Sequence, residues 1–186
     1  MKLRKGSHDA TGLRFGIVVA RFNKFVTSKL LNSCVEGLTK QGVKAEDIEA
    51  VRVPGAFEIP LVAQTMARTK RFDAVICLGA VIRGDTPHFD YICTEVSRGI
   101  GQAALDADVP IIFGVLTTQT VAQAIERSEP AKFNRGGEAA RSAVEMATVM
   151  RQLRAGEETQ MSVRRETLNV KRKTSAETRA TRKRKA

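Results

Sequence analysis

The residue types that do chemistry concentrate in a few short segments of the chain. The richest is Gly79-Ala80-Val81-Ile82-Arg83-Gly84-Asp85-Thr86-Pro87-His88-Phe89-Asp90. It contains one of only two histidines, and an imidazole at the start of a helix can move protons near neutral pH. Gly84 permits a backbone whose amides converge on an anion, and Thr86 adds a hydroxyl. A helix-capping Asp or Thr followed by a surface histidine would leave the same residues, so position alone keeps both readings open. The segment is neither a Walker loop nor a GxGxxG fingerprint.

Pro54-Gly55-Ala56-Phe57-Glu58-Ile59-Pro60 places an acid in the first turn of a helix. There Glu58 either complements the helix dipole or accepts hydrogen bonds from a ligand held on free amides. Phe22, in Arg21-Phe22-Asn23, either covers the face of a planar heterocycle or staples the next helix to its strand. Arg127 and Arg135 have the fork that suits phosphate, although surface arginines usually pair with acids. Cys34, Cys77 and Cys93 are odd in number and lack metal-ligand spacing, so buried small-hydrophobe roles and a reducing compartment are expected, with no metal site. No Ser-His-Asp set, HExxH helix or carboxylate pair for glycoside chemistry stands out.

The elements that must position these residues follow from apolar periodicity. Phe15–Ala20, Ile48–Val53, Ala74–Ala80 and Ile111–Leu116 read as strands, the first as a continuous run buried on both faces. Val26, Leu30, Cys34 and Leu38 recur every four residues, the stripe of an amphipathic helix ending near Gly42. Further helices are expected behind Pro54-Gly55 (with Ile59, Val62, Ala63 and Met66 inward), over Ile92–Leu105, over Val121–Ile125 and over Glu138–Leu153. Strand and helix alternating four times imply right-handed crossovers and a parallel sheet covered on both faces. Ligands then bind beyond the carboxyl ends of the strands, at Arg21–Lys24, Pro54–Glu58, Gly79–Phe89 and Phe113–Thr118.

Composition sets the outer bounds. The 186 residues are 42% hydrophobic and 27% charged, enough for one core, which excludes a fully disordered chain. The longest uncharged apolar run, Ala74–Ile82, is far short of a membrane span, and no signal-peptide apolar region follows the basic start. The net charge of +11 is concentrated: Ala155–Ala186 has ten Lys/Arg against four Glu, no aromatics and few large aliphatics. That stretch is expected to be disordered, or else to serve as an electrostatic arm for polyanions without base readout. The expected organisation is an extension over 1–13, a domain over 14–154 and a basic tail over 155–186.

Taken together, Arg21-Phe22-Asn23, Pro54 to Pro60, Gly79 to Gly84 and Thr86-Pro87-His88-Phe89-Asp90-Tyr91 resemble the 6,7-dimethyl-8-ribityllumazine synthase family. Phe113-Gly114-Val115-Leu116-Thr117 and Asn134-Arg135-Gly136-Gly137-Glu138-Ala139-Ala140 extend the resemblance, which runs from about Leu13 to Leu153. It implies a three-layer α/β/α sandwich with a four-stranded parallel, flavodoxin-like sheet, assembling as pentamers. It implies condensation of 5-amino-6-(D-ribitylamino)uracil with 3,4-dihydroxy-2-butanone 4-phosphate, releasing phosphate and water, with no cofactor.

The resemblance also assigns roles. Phe22 would stack on the pyrimidine; Ala56, Phe57 and Glu58 would hold the ribityl chain; Ala80, Val81 and Ile82 would meet the uracil edge. Gly84, Asp85 and Thr86 would cradle the phosphate with Arg127, and His88 would transfer protons. Phe113 would reach a neighbouring subunit's site, since family sites lie at subunit interfaces. Arg135 stands where many relatives have Lys, and the Ala131-Lys132 spacing departs from theirs, so either Lys132 or Arg135 completes the phosphate clamp. The short stretch from Arg127 to Glu138 resembles members that form 60-subunit shells, and a cytoplasmic location is expected. The alternative is a nucleic-acid-binding or scaffold protein reusing the fold, which would need none of Phe22, Glu58, His88 and Arg127.

Overall fold

The fold was analysed as a computed structural model, which describes residue 1 and residues 3–156. The basic stretch, expected to be disordered, lies outside the described residues from position 157 on. Strands β1 (Phe15–Ala20), β2 (Ile48–Val53), β3 (Ala74–Ile82) and β4 (Ile111–Thr118) form one sheet in the order β2-β1-β3-β4, parallel throughout. This is the flavodoxin-like order, whose switch point falls between β1 and β3.

Helices α2 (Ile59–Arg68) and α3 (His88–Ala107) cover one face. Ile59, Ala63 and Met66 of α2, with Val96, Ile100 and Ala103 of α3, pack there against Val18, Val75 and Cys77. The other face is covered by α1 (Lys24–Lys40) and α5 (residues 135–149), with α4 (Val121–Ser128) contributing Ala124. Ile17, Val19, Ile76 and Leu78 meet Val26, Leu30, Cys34 and Leu38 on that side, together with Ala140, Ala143 and Val144. All six residues of β1 are buried, as a strand sandwiched between helix layers requires. Residues 150–156 are also helical.

The structure moves several element boundaries. β3 runs to Ile82 and β4 to Thr118, because their ladder continues into the turn, where the Arg83 N–H donates to the Thr118 carbonyl at 2.9 Å. α3 begins at His88, four residues before Ile92, with Pro87 as its cap. α4 runs on to Ser128, and α5 starts at 135 rather than at Glu138. Asn134 caps α5 by accepting the Gly137 N–H on its side-chain oxygen at 3.0 Å. Gly136 sits against the backbone of Leu30, where a Cβ would overlap the Leu30 carbonyl. The extension is partly built into the core: Ala10 and Leu13 are buried in the α1/α5 layer, and the Ala10 N–H donates to the Gln41 carbonyl.

Candidate active site

At the carboxyl ends of β1, β2 and β3 the chain surrounds a cavity of about 580 Å³. Its lining joins Phe22 from the β1 turn, Ala56, Phe57 and Glu58 from the β2 turn, Ala80, Val81 and Ile82 from the end of β3, and Gly84, Thr86 and His88 beyond it. Three of the four segments that sequence reasoning singled out therefore meet around one space. Phe89 and Ile92 of α3 complete the apolar wall, and neither had been given a role.

Each wall has a local cause. The β1–β2 ladder continues past the strands, with the N–H groups of Arg21 and Phe22 donating to the carbonyls of Val53 and Pro54 at 2.8 and 3.1 Å. Asn23 then adopts a left-handed φ of 54° and caps α1. Its side-chain amide donates to the Ala80 carbonyl at 2.9 Å, tying the β1 turn to the end of β3 across the switch point. An αL position favours Asn, but the residue's long-range bond leaves no mark in the sequence. The result is a Phe22 that is 70% exposed at the edge of the cavity.

Glu58 is the N-cap residue of α2, and one of its carboxylate oxygens accepts the Gly55 N–H at 2.8 Å, which holds the side chain over the turn preceding the helix. Glu58 also lines the cavity. His88 opens α3 and its side chain is exposed beside Thr86 and Gly84. Asp85 is exposed in the same loop but does not line the cavity. Arg83 grips Asp90 with both guanidinium nitrogens, at 3.1 and 2.6 Å, and holds that carboxyl below the usual carboxylate range.

The fourth segment goes elsewhere. Phe113, Arg127 and Arg135 border a second hollow of about 320 Å³ against β4, α4 and α5, and it shares no lining residue with the first. The physical reason is strand order: β4 is an edge strand, separated from β1 by β3. Phe113 is 45% exposed there. Arg127 donates to the Gln123 carbonyl within α4 at 3.3 Å, and Arg135 pairs with Glu138 at 2.5 Å. The two guanidiniums each stand 5.8 Å from the Phe133 ring. Lys132 instead pairs with Glu126 at 3.8 Å and does not border the hollow.

Cys93, expected to be buried, is only half-buried and feels the charges of Asp90 and Arg83, while the other two cysteines stay apart from the site. Cys34 and Cys77 are buried, and burial pushes the Cys34 thiol up to about 12 and Cys77 upward as well. Among the described residues no cluster of His, Cys, Asp or Glu could hold a metal ion, and no helix is long and apolar enough to cross a membrane. Compared with protein families, residues 12–151 match the model for 6,7-dimethyl-8-ribityllumazine synthase.

Proposed function

The chain belongs to the 6,7-dimethyl-8-ribityllumazine synthase family, transferases of riboflavin biosynthesis, and from that premise we propose how its residues divide the reaction. The cavity takes the ribitylaminouracil. Phe22 stacks on the pyrimidine, Ala80, Val81 and Ile82 meet its polar edge through their backbone, and Ala56, Phe57 and Glu58 hold the ribityl chain. Gly84, Asp85 and Thr86 face the phosphate of the ketose phosphate, and His88 transfers protons. One observation carries this reading: ten of these residues, from three separated segments, line one space of about 580 Å³.

The chemistry needs little more. An amine of the aminouracil attacks the ketone and loses water to give an imine, phosphate leaves, and the ribityl-bearing nitrogen closes the ring with loss of a second water. The substrates supply the reactivity, so holding them together dominates; orientation is worth roughly 7–11 kcal/mol, against about 10²–10⁴-fold for a proton-transfer group.

A second copy of the chain completes the site. The cavity has no arginine in its lining, while Arg127 and Arg135 stand at a separate hollow with Phe113. We therefore assign Phe113, Arg127 and Arg135 to the site of a neighbouring subunit in a pentamer, with twelve pentamers joining as a 60-subunit shell. Arg135 rather than Lys132 finishes the phosphate clamp, because Arg135 and Arg127 flank the same aromatic ring whereas Lys132 is engaged by Glu126. The reading includes a cytoplasmic location and, in the full shell, contact between the 155–186 stretch and polyanions.

The direct test mixes the protein with both substrates and follows the lumazine's absorbance above the uncatalysed rate. Enzyme-dependent product, lost when Phe22 and Arg127 are both replaced by Ala, is the expected result. A baseline rate from an assembled protein would overturn it. Sharing between subunits is tested by co-assembling Phe22→Ala and Arg127→Ala chains: a shared site recovers about a quarter of the native activity by random pairing, and a self-contained site recovers none.

A further inference from the structure

We propose that Arg83 and Asp90 form a clasp that holds the loop between β3 and α3, and with it His88, in working position. The proposal rests on the reading of His88, Gly84 and Thr86 given above and adds two positioning residues to it. Arg83 is fixed at its backbone, where its N–H donates to the Thr118 carbonyl at the end of β4. Its guanidinium reaches over the loop to the first turn of α3, where both terminal nitrogens meet the two carboxylate oxygens of Asp90. The same guanidinium lies 4.3 Å from the centroid of the Phe89 ring, which is buried and forms part of the cavity wall. The six residues between the partners are thereby closed into a ring, and four of them (Gly84, Thr86, His88 and Phe89) line the cavity.

An ordinary exposed ion pair would not justify this conclusion, since such pairs contribute little to global stability. Arg98–Glu95 and Lys40–Glu36 are pairs of that kind, each within a single helix turn. Arg83–Asp90 differs in three respects. It joins two nitrogens to two oxygens, whereas Arg98 puts both its contacts on one oxygen of Glu95; it is stacked on a ring, and it connects a strand end to the helix that follows it. It restricts the segment whose geometry matters most: a proton-transfer group must stay within hydrogen-bond reach, and misplacement by about 1 Å can cost roughly 10²-fold in rate. Lysine at position 83 would keep the charge but lose the fork and the stack.

Two measurements on the assembled full-length protein test the clasp. In hydrogen–deuterium exchange without ligand, Arg83→Met and the nearly isosteric Asp90→Asn should each speed exchange across residues 84–89 by about tenfold, with residues 56–62 on the opposite wall unchanged. In kinetics, kcat should fall and the KM for the ketose phosphate should rise, each by about tenfold. The KM for the ribitylaminouracil should stay within about twofold, because Phe22 and residues 56–58 and 80–82 lie outside the ring. Arg83→Lys should fall between Arg83→Met and the native protein on both readouts. Unchanged exchange across residues 84–89 in both Arg83→Met and Asp90→Asn would overturn the clasp. So would acceleration throughout the domain, or a parallel rise in both KM values, since either describes general loosening. Should the native protein make no lumazine, the exchange arm still decides the clasp, so its failure is separable from failure of the assigned reaction.

Discussion

The two hollows of this chain are built from different materials. The cavity at the switch point is walled mostly by carbon: Phe22, Phe57, Phe89, Val81, Ile82 and Ile92, with Glu58, Thr86 and His88 as its polar points. The hollow against the edge strand β4 carries the charge, with Arg127, Arg135 and Glu138 around Phe113. An apolar wall with few polar groups suits a flat heterocycle, and paired guanidiniums suit phosphate. On the proposed assignment the first hollow holds the organic ring and the loop that faces the phosphate, and the second holds the guanidiniums, which would give assembly a chemical purpose.

The largest effect expected from this comparison is on the charged side. Arg127→Ala should raise the KM for the ketose phosphate by about 100-fold, a charge-assisted hydrogen bond to phosphate being worth roughly 1.5–3 kcal/mol, and should leave the KM for the aminouracil nearly constant. Equal shifts for both substrates in steady-state kinetics would erase the distinction between the hollows. His88→Ala belongs to the other region and should act on turnover. A fall in kcat of about 10- to 100-fold is expected, without loss of the reaction, because orientation survives the substitution. An unaltered kcat with native assembly would remove His88 from the chemistry.

Gly136→Ala sharpens the comparison without touching a charged group. An added methyl would overlap the backbone of Leu30, so α5 must shift from α1 at the point where Arg135 is held. Overpacking of this kind costs about 1–3 kcal/mol. The expected signature is a lower Tm with impaired phosphate binding, while aminouracil binding measured by fluorescence remains close to native. Loss of aminouracil binding in a folded variant would mean that the two regions are mechanically one.

The difference between the regions also marks what the sequence made legible. β1 and the α1 stripe were readable because each is buried by a simple rule: all of Phe15–Ala20 lies between helix layers, and Val26, Leu30, Cys34 and Leu38 are all fully covered. The residues of the cavity were readable as segments because strand ends in a parallel sheet share one edge. The start of α3 was legible only in part: the loop placed His88 at a helix start, whereas the apolar stripe was counted from Ile92 and missed the buried Phe89 one turn earlier. The resemblance already sent Phe113 to a neighbouring subunit's site, but the separation of Arg127 from His88 within one chain was not legible. It depends on β4 lying beyond β3 in the sheet, a tertiary fact that no local pattern encodes. Asn23 is a third case: its left-handed turn follows from residue type, whereas its bond to Ala80 spans the switch point.

The smallest expected effect decides a question the sequence left open, whether Lys132 or Arg135 completes the phosphate clamp. Both are exposed and both have an acidic partner, so charge alone does not separate them. Their partners differ in position. Glu138, paired with Arg135, borders the hollow itself, so an incoming phosphate would compete with that carboxylate for the guanidinium and find it already aimed into the space. Glu126, paired with Lys132, is not among the hollow's lining residues. Arg135→Ala should therefore raise the KM for the ketose phosphate by about tenfold, less than Arg127→Ala because the Glu138 pairing is surrendered on binding. Lys132→Ala should change it by less than about twofold, as the loss of an exposed ion pair does. Measuring both variants across a range of salt distinguishes a contact from a field effect: a direct Arg135 contact keeps its advantage at high ionic strength, whereas a diffuse contribution from Lys132 would fade. The reverse ranking would move the phosphate off α5 and onto the turn before it.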